Sequence, residues 1–292
     1  MMDWLDVATQ GILLGGVYAL FALGLSLVFG IMRLVNLAHG DLIVLAAYFV
    51  LFTSSMAGLP LGVATALAIA AMFVLGYLLQ RFVLERVLGD EIMPPLLVTF
   101  GLSVIVQNAL LLTFGADSRR LQAGAFETGS VSLAPALKVG LAPLTTLVAA
   151  VIVIALLQLL FYKTSIGRAF RATADNPEIA QLMGINQRRI FAIAVGISLA
   201  VSVVAAVSLG VRANFDPSIG PARLLYAFEA VIIGGLGSLW GTLAGGMVVG
   251  IAQTIGARIN PEWQILAGHL AFLAVLMIKP RGLFPGAGHD AR

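Results

Sequence analysis

Apolar residues run along this chain in long blocks separated by short polar clusters. Stretches free of Asp, Glu, Lys and Arg cover Val7–Met32, Leu42–Gln80, Ile92–Ala116, Val139–Tyr162, Ile190–Val211, Ala230–Ala257 and Trp263–Ile278. A helix needs about 20 predominantly apolar residues to cross roughly 30 Å of hydrocarbon. Leu42–Gln80 is long enough for two crossings, divided at Gly58-Leu59-Pro60. The pattern predicts an all-α integral membrane protein of about eight transmembrane spans.

Composition agrees with that class. Of 292 residues, 60% are hydrophobic and 11% charged, whereas soluble domains carry roughly 25% charged residues, and the mean hydropathy is +1.02. No soluble domain or linker fits between the blocks. The expectation is a single transmembrane domain over 1–292, with halves at about 7–162 and 190–279 joined by a cytoplasmic loop, 163–189. The residues before the first block, Met1-Met2-Asp3-Trp4-Leu5-Asp6, contain no base, so that block reads as a retained span rather than a signal peptide. The formal charge of +3 comes from bases in loops without aromatic interleaving, which suits positive-inside topology better than nucleic-acid binding. With no cysteine, disulfides, thiolate chemistry and cysteine-based metal sites are excluded.

The loop from Lys163 to Arg189 holds Lys163, Arg168, Arg171, Arg188 and Arg189 against Asp175 and Glu178, which places it in the cytoplasm. Counting backward puts the amino terminus outside, Arg33, Arg81 and Arg86 inside, and Gly115–Gly140 outside despite Arg119, Arg120 and Lys138. Counting forward through three simple spans puts the basic tail, Lys279-Pro280-Arg281-Gly282, outside, against its own charge. The element suspected of the miscount is Phe228–Gly241, where Gly234-Gly235-Leu236-Gly237-Ser238 interrupts an overlong apolar run. A broken or re-entrant segment is expected there. A similar interruption, Arg33 to Asp41, follows the first span, and each interruption precedes two further apolar spans. Pairing the block at Val7 with that at Ile190 gives two halves starting on opposite faces, an inverted internal repeat with two Gly-broken segments. Chance likeness between Gly-rich apolar runs is the alternative.

One loop segment carries marks of a short helix at both ends. Asp175 is placed to cap it with Glu178 three residues on, Pro177 falls in the first turn, and Gly184 suits the left-handed position at its end. Ile179, Leu182 and Met183 fall at i, i+3 and i+4, an apolar face on a helix outside the bilayer. Two readings are open: a coupling helix docked into a cytoplasmic protein, or an amphipathic helix lying on the membrane surface.

Three blocks resemble the membrane (permease) subunits of the branched-chain amino-acid ABC importers. The first runs Gly167-Arg168-Ala169-Phe170-Arg171-Ala172 through Ala180-Gln181-Leu182-Met183-Gly184-Ile185; the second is Gly30-Ile31-Met32-Arg33-Leu34-Val35-Asn36-Leu37-Ala38-His39-Gly40-Asp41; the third is Glu229-Ala230-Val231-Ile232-Ile233-Gly234-Gly235-Leu236-Gly237-Ser238-Leu239-Trp240-Gly241. With the tail Arg281-Gly282-Leu283-Phe284 the resemblance runs from about Gly15 to Phe284. Pro285 departs from the Gly expected of the family. The resemblance implies transport of branched-chain amino acids or related small neutral solutes across the bacterial inner membrane. It implies a second homologous membrane subunit in a heterodimer, two cytoplasmic ATPase subunits holding ATP and Mg, and an extracytoplasmic solute-binding protein. It also implies that Gly167, Arg168, Arg171, Ala172, Asp175, Glu178, Ala180, Leu182 and Gly184 serve ATPase coupling. Lys occurs only at 138, 163 and 279, never in a G-x-x-x-x-G-K-[ST] phosphate loop, so this chain reads as no enzyme and binds no cofactor of its own.

Polar groups at membrane depth are the candidates for a solute path, since ionisable side chains are costly there. Asn36, His39 and Asp41 either line it or satisfy the broken backbone, the latter being favoured. Metal binding by His39 and Asp41 has too few ligands. Glu229 either pairs with Arg223, the favoured reading, or lines the path. Gln107, Asn108 and Gln253 suit a zwitterion or, more commonly, join helices. Gly40, Gly234, Gly235, Gly237 and Gly241 are candidates for helix breaks or a gate, with Gly237, Gly241, Gly245, Gly246 and Gly250 spaced for close packing. A secondary transporter driven by an ion gradient is the rival, and it predicts mid-span acids, which no apolar block contains. An intramembrane hydrolase is a third class; H-E-x-x-H and G-x-G-D are absent, and His39, His269 and His289 have no evident nucleophile partner.

Overall fold

The computed structural model describes residues 2–89, 91, 93–124, 127, 129–134 and 137–284; Pro285 and His289 lie outside the described residues. Its helices are α1 (Met2–Met32), α2 (His39–Ser55), α3 (Leu61–Phe82), α4 (Met93–Phe114), α5 (Leu141–Lys163), α6 (Ser165–Asp175), α7 (Pro177–Leu182), α8 (Gln187–Arg212), α9 (Gly220–Gly234), α10 (Leu239–Ile259) and α11 (Trp263–Ile278). A short antiparallel hairpin, β1 (Ser130–Ala134) and β2 (Leu137–Gly140), is the one strand pair among the described residues. Six helices, α1, α3, α4, α5, α8 and α10, are long and apolar enough to cross a membrane; α2 and α11 are shorter apolar helices.

The bundle is built around α1 and α8, whose apolar stretches are largely enclosed by protein, whereas α3, α4 and α5 expose most of theirs. α1 packs chiefly on α10, α8 chiefly on α3, and α2 and α9 lie against α8 and α1 respectively. Small residues make the first contact close. A Cβ on Gly15 would lie 2.5 Å from the Cα of Met247, and one on Gly250 would lie 2.3 Å from the carbonyl oxygen of Gly11. Such approach supplies packing between helices when no hydrophobic drive separates protein from lipid.

Two segments depart from continuous helix. After Met32 the chain turns at Arg33, whose φ of 52° ends α1, and 33–38 run non-helically to the start of α2. After Arg212, residues 213–219 lead to α9, where Pro221 occupies the opening turn that tolerates a missing N–H. Phe228–Gly234 therefore belongs to α9, and the second break is confined to Gly235–Ser238, with Gly235 and Gly237 at φ of 103° and 82°. The block Ala230–Ala257 is accordingly not one span. It contains the end of α9 and most of α10.

The ends of the bundle carry different structures. At one end lie α6 and α7, the ion pair of Arg188 with Glu85 (3.2 Å), and the tail, whose Leu283 and Phe284 N–H groups donate to Ile233 and Gly234 carbonyls at the end of α9 (2.8 and 3.0 Å). At the other end Arg119 and Phe215 pair their backbones, and Arg120 donates to Val211 O (3.1 Å). The tail thus shares the end that bears α6 and α7. The forward count of simple spans placed it opposite because α9, carrying the chain from mid-bundle back to that end, was hidden inside an apolar run.

Candidate functional site

The first polar cluster lies where α2 begins, at the depth of Phe21 on α1. Non-helical backbone inside a membrane protein must find partners within the protein. Asn36 Oδ1 accepts from Ala38 N (3.0 Å), Leu37 N donates to Thr99 Oγ1 (3.2 Å), and His39 N donates to Asn36 O (3.2 Å). The Nε2–H of His39 donates to Phe21 O (3.0 Å), which requires that tautomer. Asp41 accepts from Ser103 Oγ (2.5 Å) and Gln107 Nε2 (3.0 Å). All three of Asn36, His39 and Asp41 are buried; Asn36 holds the break's own backbone, and His39 and Asp41 tie it to α1 and α4. Gln107 joins them, whereas Asn108 is exposed on the outer face of α4 and bonds its own helix at Val104 O (2.8 Å).

The two short helices meet at this cluster. A Cβ on Gly40 would lie 2.1 Å from Gly220 O, and one on Gly220 would lie 2.0 Å from Asp41 Oδ1. Both helix N-termini, each carrying partial positive charge, therefore point to the neighbourhood of one carboxylate. Gly40 is a contact point in the first turn of α2 rather than the break itself.

A second cluster follows one face of α9. The Tyr18 hydroxyl donates to Gln253 Oε1 (2.5 Å), and the Tyr18 and Tyr226 rings stand 4.9 Å apart. Glu229, buried, contacts His269 Nδ1 of α11 rather than Arg223. Six residues separate Arg223 from Glu229, which at 100° per residue turns the two side chains about 120° apart around the helix axis. The pairing expected from sequence fails on that geometry. Gln253 bridges α10 to α1 as a helix-joining amide.

At the α6–α7 end, Thr164 caps α6 by accepting from Gly167 N (3.0 Å). Gly167 lets α6 fold tightly onto α5, since a Cβ there would lie 2.2 Å from Leu160 O. Arg171 bonds Phe161 O and lies 5.0 Å from the Tyr162 ring centroid. Gly167 and Arg171 thus fasten α6 to α5. Asn176, not Asp175, caps α7: its Oδ1 accepts from Glu178 N (3.1 Å) and Ile179 N (3.0 Å). Pro177 drives the preceding residue into extended backbone, so Asp175 instead ends α6. Gly184 is left-handed at φ 83°, with Gly184 N bonded to Gln181 O and Ile185 N to Ala180 O (2.9 and 3.0 Å), the paired bonds of a Schellman ending. Ala180 is buried and Ala172 half-buried, while Arg168, Asp175 and Glu178 are exposed. Ile179, Leu182 and Met183 are 58%, 86% and 79% exposed.

Beside α6 is a cavity of about 320 Å³ reached by Ser26, Gly30, Arg171, Gly237 and Trp240. Trp240 Nε1 bonds Gln158 there. Gly234 and Gly241 press together across the break, where a Cβ on Gly234 would lie 2.2 Å from Gly241 O. Sequence reasoning did not single out Tyr18, Ser103, Tyr226 or Arg212, and it left His269 without a partner. For Tyr18, Ser103 and His269 the available signal was a polar side chain within an otherwise apolar block.

The family described as "Branched-chain amino acid transport system / permease component" matches residues 7–278. The chain belongs to this family. It is 30% identical over 293 residues to the high-affinity branched-chain amino acid transport system permease protein BraD of Pseudomonas aeruginosa, covering 96% of this chain and 95% of that one. To the corresponding permease protein LivH of Escherichia coli K12 it is 31% identical over 298 residues, 94% of this chain and 93% of that one. Its fold resembles PsaBC from Streptococcus pneumoniae, solved in complex with Fab, with a TM-score of 0.51, 13% identity and 96% coverage of both chains.

Proposed function

We propose that this permease is the membrane-spanning subunit of an ATP-driven importer that carries branched-chain amino acids, or related small neutral solutes, across the bacterial inner membrane. Separate cytoplasmic ATPase subunits supply the energy through α7, a second homologous membrane subunit completes the path, and an extracytoplasmic binding protein delivers the solute. The observation that carries the reading is α7 itself. It is a six-residue helix fixed at both ends that presents Ile179, Leu182 and Met183 outward at the basic end of the bundle. An exposed apolar face on a fastened helix suits insertion into a protein groove.

In this reading the end bearing α6, α7 and the tail is cytoplasmic. The chain makes nine traverses, of which 33–38 with α2 and 213–219 with α9 are half extended and half helical. The contacts of α1 with α10 and of α8 with α3, and the meeting of α2 with α9, support an inverted repeat that pairs α1–α3 with α8–α10.

Buried Glu229, in contact with His269, favours the rival of an ion-gradient transporter. Purification from native membranes followed by reconstitution separates the two. Recovery of ATPase subunits and uptake that requires ATP support the importer; transport by the chain alone in liposomes without ATP overturns it.

A further inference from the structure

Two arginines next to the Tyr18 cluster have no partner equal to their charge. Arg212 ends α8 and Arg223 lies in the first turns of α9, and both guanidiniums are within electrostatic reach of the Tyr18 hydroxyl. Arg212 Nη1 and Arg223 Nε are buried without a hydrogen-bond partner. Asp216 is within reach of Arg223, but it accepts from Ser218 N (2.9 Å) and from the Ser218 hydroxyl. Among the described residues no carboxylate forms an ion pair with Arg212 or Arg223. Two half-buried cations against one engaged acid leave a surplus positive charge. Arg212 also reaches the wall of a cavity of about 590 Å³ between α3, α5 and α8 at the end opposite α7. Val204, Val207, Val211 and Ala142 give that cavity apolar wall, and Thr146 and Ser208 add hydroxyls.

We propose that Arg212, on the wall of this cavity, anchors the carboxylate of the transported solute, whose aliphatic part lies against Val204, Val207 and Val211, and that Arg223 adds to the positive potential there. This rests on the importer reading and adds to it the side chain that holds the solute's carboxylate. Arginine forms paired, directional bonds to such a group. The shared chemistry, an anionic head on an apolar body, is also offered by the phosphate of an anionic phospholipid, and the test separates the two.

The chain contains no native cysteine, so Ser208→Cys gives a single thiol on the cavity wall. The assembled importer, with its partners free of reactive cysteine, is placed in phosphatidylcholine nanodiscs and labelled with anionic, cationic and neutral methanethiosulfonates. The anionic reagent is expected to react about tenfold faster than the cationic one, as fixed charge concentrates counter-ions in a cleft. Arg212→Gln or Arg223→Gln brings that ratio towards unity, Arg→Lys at either position retains it, and an unchanged rate with the neutral reagent certifies the fold. Leucine slows anionic labelling, whereas leucinamide, which lacks the carboxylate, does not. Equal rates for both charges, a ratio indifferent to the glutamine variants, or equal protection by leucinamide overturns the site. Protection by added phosphatidylglycerol but not by leucine assigns it to lipid and likewise overturns the proposal. Labelling needs no ATP, so loss of ATPase co-purification with this labelling pattern intact counts against the importer reading alone.

Discussion

Gly40 and Gly220 touch at the centre of the bundle, so closely that a Cβ on either would fall within about 2.1 Å of the other helix's atoms. The first turns of α2 and α9 meet there with Asp41 beside them, and no side chain fits between. Gly40→Ala, whose Cβ would meet the backbone carbonyl of Gly220, should therefore force the two helices apart. Overpacking of this kind typically costs about 1–3 kcal/mol, and backbone on the far side cannot yield as a flexible side chain would. The expected outcome is a lower unfolding temperature in detergent and a reduced folded yield, while Gly62→Ala, which meets nothing within 4 Å, serves as the silent control. An unfolding temperature equal for both variants would show that α2 and α9 do not abut.

Much of this architecture was legible because local chemistry marked it. Pro177 and Gly184 set the limits of α7 within a residue, and the glycines at 235 and 237 marked the second break. Three features escaped for physical reasons. α9 ends in Val231-Ile232-Ile233-Gly234, apolar enough to merge with α10 into one block. Protein-enclosed α1 and outward-facing α4 are both apolar all round, because lipid and protein interior demand the same residues. Adjacent Gln107 and Asn108 therefore looked alike, although one reaches Asp41 and the other faces outward. The partner of Glu229 was out of reach for a different reason, since His269 lies 40 residues away on another helix.

The ends of α7 can be tested separately from its face. Asn176→Ala removes the acceptor for two backbone N–H groups, at a cost of about 1 kcal/mol of local stability. Gly184→Val puts a branched side chain into left-handed backbone, at about 1–2 kcal/mol or more. Both, and Glu178→Ala, should lower ATP-dependent uptake while membrane insertion is unchanged. Leu182→Asp, which alters only the exposed face, should reduce co-purification of ATPase subunits more than any of them. Normal uptake by Gly184→Val and Glu178→Ala together would contradict a coupling role for α7.

The tail is fastened to α9 rather than trailing from α11. Leu283 and Phe284 donate to the last carbonyls of α9, and a Cβ on Gly282 would lie 2.7 Å from Gly235. Truncation after Lys279 should leave the carbonyls of Ile233 and Gly234 without those donors and loosen the break. Faster amide hydrogen exchange over 228–240, with exchange in α8 unchanged, is the expected signature. Unaltered exchange at the break would mean that Gly235–Ser238 holds itself without the tail.

Glu229 has a partner on α11 and none on its own helix, and a double-mutant cycle can read this directly. Glu229→Ala leaves His269 without its carboxylate, and His269→Ala leaves a buried acid alone; the second loss should be the heavier because Glu229 is the more deeply enclosed of the two. Removing both should cost less than the sum, with a coupling of about 0.5–3 kcal/mol between residues in direct contact. Paired instead with Arg223→Ala, Glu229→Ala should give costs that add, since the two side chains leave α9 in different directions and share no hydrogen bond. Unfolding of the purified importer in a fixed detergent measures both cycles. Coupling of Glu229 to Arg223 but not to His269 would restore the pairing that the sequence alone suggested, and would require α9 to be rotated from the position that brings Glu229 against α11.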